Sequence, residues 1–195
     1  MFGAQIKFDS NKQVTATPIQ EAKRLSSADG ADFVILKPNA FAISRLAPYC
    51  GWERFSERFS KELQLVQSIS KIRTLTRIGL RYVNRIDVPM DGTRIRIEDH
   101  MTLTVNTPRP DDIIDKYTLQ VVFDKKEQGC KVTVNSGLMP PPLIGMVSFL
   151  LDIDVSSNSL QIPIDDVGSQ LELMRDIKNS AFESFITDRT RNLFY

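Results

Sequence analysis

One histidine, His100, and two cysteines, Cys50 and Cys130, are all that this 195-residue chain offers of the side chains that most often bind transition metals. The cysteines stand far apart and fit no Cys-x-x-Cys or Cys/His spacing, which argues against a structural zinc site. They are expected to be free, partly buried thiols in a reducing cytosol and not a disulfide. With one histidine, no Ser-His-Asp or Cys-His set has spacing support, so nucleophilic catalysis of those kinds is not expected. The nine glycines are scattered and make no phosphate-cradling loop. Charge of one sign is also missing. Lys and Arg number 25 against 24 Asp and Glu, a net of +1, so no global field draws in nucleic acid or an anionic membrane.

Long apolar runs are absent as well. The longest nearly uncharged stretch, 137–151, is broken by the prolines and glycine of 140–145 and cannot cross a membrane as a helix. The opening residues lack the basic-then-apolar layout of a signal peptide. A cytoplasmic protein with no membrane partner is expected. What is present is ordinary for a folded domain: 42% apolar and 25% charged residues, too apolar and too balanced in charge for disorder. The length fits a single domain over 1–195, or at most a domain with an appendage.

The pattern along the chain alternates between the periods of strand and helix. Segments 6–8 and 14–17 each suit a short strand. A meander follows over 23–27, 33–36 and 40–46, with Ala28-Asp29-Gly30 as its first turn. Trp52, Phe55, Phe59, Leu63, Val66 and Ile69 then recur at three and four residues, with charged residues between them. This predicts a helix whose aromatic stripe belongs to the core. Segment 95–104 suits either a strand or a short helix opening at Glu98, ended by Pro108 and Pro110. A hairpin is expected from 117–123 and 131–134 around Lys126-Glu127-Gln128-Gly129. A strand over 147–155 comes next, and then a long helix capped by Asp166, with Val167, Leu171, Met174, Ile177, Ala181, Phe182, Phe185 and Ile186 as its apolar face. The order implies an α+β fold: an antiparallel sheet with two helices packed on one face, the C-terminal one long.

The most informative stretch is 74–88. Strand alternation sends Ile78, Leu80, Tyr82, Asn84 and Ile86 to one face and Arg77, Gly79, Arg81, Val83, Arg85 and Asp87 to the other. The first face belongs on a core. The second carries three guanidinium groups, each suited to planar, bidentate contact with phosphate or carboxylate. Arg45 and Tyr82 are possible neighbours. Two readings stay open. The arginines form a row for a nucleotide or for the phosphates of an extended single strand, or Arg81 and Arg85 pair across the sheet with Asp152 and Asp154. As metal ligands or as an acid–base dyad, Asp152 and Asp154 are poor, because adjacent arginines would hold both ionised and compete with a cation. Neither metal nor cofactor is expected.

Several of these segments together resemble a sporadically distributed family of uncharacterised bacterial proteins. They are Ser27-Ala28-Asp29-Gly30, Phe41 to Tyr49 with Trp52-Glu53 and Phe55, Arg77 to Ile86, Glu98-Asp99, Leu151 to Asp154, and 173–194 with Lys178-Asn179, Phe182-Glu183 and Ile186-Thr187-Asp188. The segments occur in the family's order and cover most of the chain from about residue 24. Relative to the family, the opening segment is shortened, which would leave a sheet edge open. His100 also stands where an aromatic residue usually follows Glu-Asp, which argues against a family-wide role for it. The resemblance implies no catalytic residues. It implies an accessory component of the kind found in bacterial antiphage-defence or toxin–antitoxin loci.

The loop after the hairpin is a candidate partner surface, with Met139, Leu143, Ile144 and Met146 around Pro140-Pro141-Pro142. The expected function is therefore non-enzymatic interaction with a protein partner or with a second copy of the chain. The alternative is a ligand- or nucleic-acid-binding module on the arginine-lined strand face.

Overall fold

Strand and helix periods separate cleanly along the chain, and the elements they produce fall into two units, 1–70 and 71–195. The computed structural model describes residues 7–8, 14–15, 22–90, 95–105, 107, 109, 113–159 and 161–194. Ile6, Ala16, Thr17, Pro108 and Pro110, included in the expectations above, lie outside the described residues.

In the first unit, β1 (Lys7–Phe8) pairs antiparallel with β2 (Val14–Thr15). Strands β3 (Lys23–Ser26), β4 (Asp32–Lys37) and β5 (Ala40–Arg45) form the expected antiparallel meander. Gly30, at φ 68°, makes the first turn, where Asp29 accepts the Ala31 N–H at 3.1 Å. Helix α1 (Trp52–Ser70) follows. Asp32 anchors it, accepting from Arg58 on α1 and from Arg45 on β5, both at 2.6 Å. The Arg58 guanidinium also donates to the carbonyls of Ser44 and Phe33, and Phe59 stacks on Phe41 with ring centres 5.7 Å apart. The apolar stripe does not run as far as its period suggests. Trp52 is buried, but Ile69 is 77% exposed, because the last turn continues the helix without a surface to cover it.

In the second unit, β6 (Thr74–Leu75) pairs with β11 (Ile162–Pro163). The main sheet holds β7 (Gly79–Pro89), β8 (Thr118–Lys125), β9 (Cys130–Met139) and β10 (Met146–Ser157) in the order β7-β10-β9-β8, all antiparallel. Gly129, at φ 62°, closes the turn between β8 and β9. Gly137 has a different reason: a Cβ there would meet the Tyr117 carbonyl oxygen at 2.8 Å.

One face of this sheet carries the core, with Leu80, Ile86, Val132, Val134, Phe149, Leu151, Ile153 and Val155 all buried. Helix α2 (Val167–Phe185) supplies Val167, Leu171, Met174 and Ile177 to the same core. Each such side chain contributes about 1.5–3 kcal/mol on leaving water. Asp166 precedes α2 but makes no side-chain cap bond. A 3₁₀ turn, Ile164–Asp166, leads into the helix instead, so the carboxylate acts on the helix end only through its charge.

The class and the long closing helix are as expected, α+β with antiparallel strands. The two long helices are divided between the units, each accompanied by its own antiparallel sheet. Segment 95–104 is a 3₁₀ turn at Ile97–Asp99 followed by a bridge from Met101 to Ile186. It seals the end of α2: Thr102 donates its N–H to the Phe185 carbonyl at 3.0 Å and its hydroxyl to the Ser184 carbonyl at 2.6 Å. The short helix α3 (Asp188–Arg191) is capped by Thr187, whose hydroxyl accepts the Thr190 N–H and donates to the Asp99 carbonyl. Cys50 and Cys130 are both free thiols.

Candidate functional site

Strand β7 sorts its residues as its alternation predicts. Leu80, Ile86 and Val88 are buried while Arg81 and Val83 are exposed. Pairing with β10 places Asp152 opposite Val83 and Asp154 opposite Arg81, so both carboxylates share the arginines' face. Each arginine has an acidic partner. Arg81 grips Asp152 with two parallel bonds, Nε to Oδ1 at 2.8 Å and Nη2 to Oδ2 at 2.7 Å. Arg77 reaches Asp154 at 3.7 Å, beside Gly79, where a Cβ would sit in ordinary contact with both side chains. Arg85 does not pair with Asp152 or Asp154. Its Nε bonds Asp87 at 2.8 Å, two residues along its own strand.

The network continues across the sheet. Asp152 also accepts from Asn135 at 3.0 Å, and Asn135 accepts from Gln120 at 2.7 Å. A polar ladder Gln120–Asn135–Asp152–Arg81 thus crosses all four strands of the sheet. The buried Ser148 hydroxyl donates to Asp87. The Arg85 bond and then the Ser148 bond hold the Asp87 carboxyl below the usual carboxylate range. Asp152 is buried, with a side chain only 5% exposed, whereas Arg81 keeps 60% of its side chain in solvent.

The two expected neighbours are engaged by other groups. Arg45 belongs to the first unit and is engaged by Asp32 there. Tyr82 is on the opposite face of the sheet from the arginines, where the Lys178 amine sits 4.0 Å from its ring centre. Burial, and then the nearby Arg175 charge, lower the Lys178 pKa. Gln120, Asn135 and Ser148 were not singled out from the sequence. Short polar residues alternating with valines on β9 were the available signal, and nothing in that signal says which carboxylate they serve.

On β7, Arg81 and Arg85 stand four residues apart, roughly 13 Å at the usual rise, so each fork would meet a phosphate singly and not as one of a closely spaced row. Among the described residues, no three of His, Cys, Asp and Glu come together as a metal site. No helix among them is long and apolar enough to cross a membrane.

Two further features stand out in the second unit. The loop joining β9 to β10 carries Leu143 at 66% and Ile144 at full exposure. Met139 and Met146 flank it at the strand ends, half-buried. The Met90 N–H donates to the Gly145 carbonyl at 2.9 Å and ties the loop to the end of β7. Beside the sheet, a groove of about 460 Å³ lies between α2 and the β8 side, with Phe123, Val132, Ile177 and Phe185 as its apolar walls and Lys125 and Asp176 at its rim. No family model, curated protein or solved structure matches the chain.

Proposed function

We propose that this chain is a non-enzymatic interaction component that contacts a protein partner, a second copy of itself included. The observation that carries this reading is the exposed apolar pair Leu143 and Ile144, held out on a proline-stiffened loop. Exposed leucine and isoleucine in sequence, presented by a loop with a fixed base, are worth most when something covers them. The arginine face favours the same reading indirectly, because each fork is already engaged by a carboxylate of the chain. Together with the resemblance of its motifs to a sporadically distributed bacterial family, this reading makes the chain an accessory component of a defence or toxin–antitoxin locus. A photo-crosslinking residue placed at Ile144 in cells should trap one discrete protein adduct. Exposure of that residue with no protein adduct at all would overturn the reading.

The second reading, an anion site on β7, draws on the 60% and 65% exposure of the Arg81 and Arg77 side chains. Titration with a nucleotide and with a single-stranded oligonucleotide separates it. Saturable binding lost in Arg77→Ala, with the fold intact, would favour the anion site over the loop.

A further inference from the structure

We infer that the free edge of β8 is the surface through which two copies of this chain pair, antiparallel and centred on Gln120. This rests on the interaction reading above and names where self-association takes place. Strand β8 is one end of the sheet, hydrogen-bonded to β9 alone among the described residues. Its outer edge therefore presents a row of backbone donors and acceptors with no strand among the described residues beside them.

The other end, β7, is defended. It carries Arg81, Arg85 and Asp87 along its length and ends in Pro89, which has no N–H to give. Strand β8 carries charge only at its last two residues, Asp124 and Lys125. From Tyr117 to Phe123 the sequence Tyr-Thr-Leu-Gln-Val-Val-Phe holds neither a charge nor a proline, a composition that pairs readily with another strand.

Charge fixes the register. Antiparallel pairing on a two-fold axis at Gln120 sets Leu119 against the partner's Val121 and Tyr117 against the partner's Phe123, so apolar side chains of the core face meet one another. The same register brings Lys116 and Asp115, just ahead of β8, toward Asp124 and Lys125 at the far end of the partner's strand. By symmetry each ion pair occurs twice. Displacing the axis by one residue, to Val121, would instead bring Lys116 and Asp115 toward Lys126 and Glu127 of the partner's 3₁₀ turn, like charge near like. The groove beside α2 adds a reason for the pairing. Phe123 and Lys125 belong to its lining, and the paired strand would bring a second tyrosine and a second acidic residue against those two side chains.

Sedimentation of the full chain at tens of micromolar tests this. The wild type should run at twice its 22.1 kDa mass. Lys116→Glu alone and Asp124→Lys alone should each raise the dimer dissociation constant about tenfold, since two attractive pairs become repulsive in each. The combined variant should recover most of the loss. A second measurement does not depend on charge. In a Cys50→Ser background, Gln120→Cys should form a disulfide-linked dimer under mild oxidation, while Thr133→Cys on β9 should not. A monomeric wild type, a double variant no better than the singles, or a Gln120→Cys chain that stays uncrosslinked would overturn the inference. If only the charge swap or the crosslink fails while the wild type remains dimeric, self-association stands and its location on β8 does not. The crosslink at Ile144 tests the interaction reading separately.

Discussion

Thr190 and His100 are bonded to each other twice, the threonine hydroxyl donating to the His100 carbonyl at 2.9 Å and lying 3.1 Å from the ring Nδ1. A hydroxyl has one proton, and here the carbonyl takes it, so the ring nitrogen must be the donor and carry hydrogen at Nδ1. Both residues are buried, Thr190 completely, and the imidazole also stacks on Phe149 at 6.0 Å. Thr190→Val keeps the shape and takes the hydroxyl away from the ring Nδ1, while the His100 carbonyl keeps the Thr187 N–H at 3.1 Å. A loss of about 1–3 kcal/mol is expected, the cost of one buried polar group deprived of this bond. Thr190→Ser should lose much less. Urea unfolding of the two variants measures the contrast, and a Thr190→Val protein as stable as the wild type would contradict the bonding described.

Arg81→Ala removes the exposed half of a pair whose other half is buried. Asp152 would keep Asn135 as a partner but would lose both guanidinium bonds. The expected cost is about 2 kcal/mol, less than the 3–5 kcal/mol of a wholly buried pair because solvent reaches Arg81. Arg77→Ala, at 3.7 Å from Asp154 and 65% exposed, should cost under about 0.5 kcal/mol. Equal effects from the two substitutions would mean that burial of Asp152 does not govern the network.

Asp87 sets an acid limit. Its folded pKa lies below the ordinary 3.8 because of Arg85 and Ser148, so its contribution is complete above that value. It is lost as pH falls further, through the folded pKa. Asp87→Asn should therefore be less stable than the wild type by a constant amount between pH 7 and pH 5, and the gap should narrow below about pH 3.8. Denaturant titrations across that range give the answer. A gap that widens toward acid would reverse the assigned sign.

Removal of 182–195 takes away Phe182, Phe185, Ile186 and Thr190, of which Ile186 and Thr190 are buried. It also deletes the partners that segment 97–102 bonds. Insoluble protein is expected, since truncating a single buried isoleucine such as Ile186 to alanine already costs about 2–5 kcal/mol against a total of roughly 5–15 kcal/mol. Removal of 192–195 alone should be tolerated. Phe194 rests on Phe182 with ring centres 6.2 Å apart but remains 52% exposed. A soluble, cooperatively melting chain that stops at Ala181 would show that this end is peripheral.

The faces of β7 and β10 were legible because alternation reports which side of a strand meets the core, and Arg81 and Leu80 differ as much as two residues can. The choice of partner was not. Arg81 pairs diagonally with Asp152 although Asp154 is directly opposite it, and Arg85 prefers its own strand's Asp87. Such preferences depend on pleat and rotamer geometry, which spacing does not encode. His100 and Thr190 lie 90 residues apart, so no local pattern joins them. Ile69 misled in the other direction, since a helical period persists after the surface that would bury it has ended.

The pairing of β7 with β10 also has a consequence for the order of events during synthesis. Pro89 waits for Met146 and Gly79 for Ser156, whereas β8, β9 and β10 follow one another through short turns. At ribosomal rates of roughly 5–20 residues per second, β7 spends roughly 3–15 s outside the tunnel before its partner strand exists. During that time its apolar residues have no core to enter. Arg77 and Arg81, not yet matched to the aspartates of β10, together with Arg85 keep the waiting strand hydrated and discourage it from joining a neighbouring nascent chain. The same guanidinium groups that later bind the finished sheet thus act first as a solubilising guard on an unfinished one.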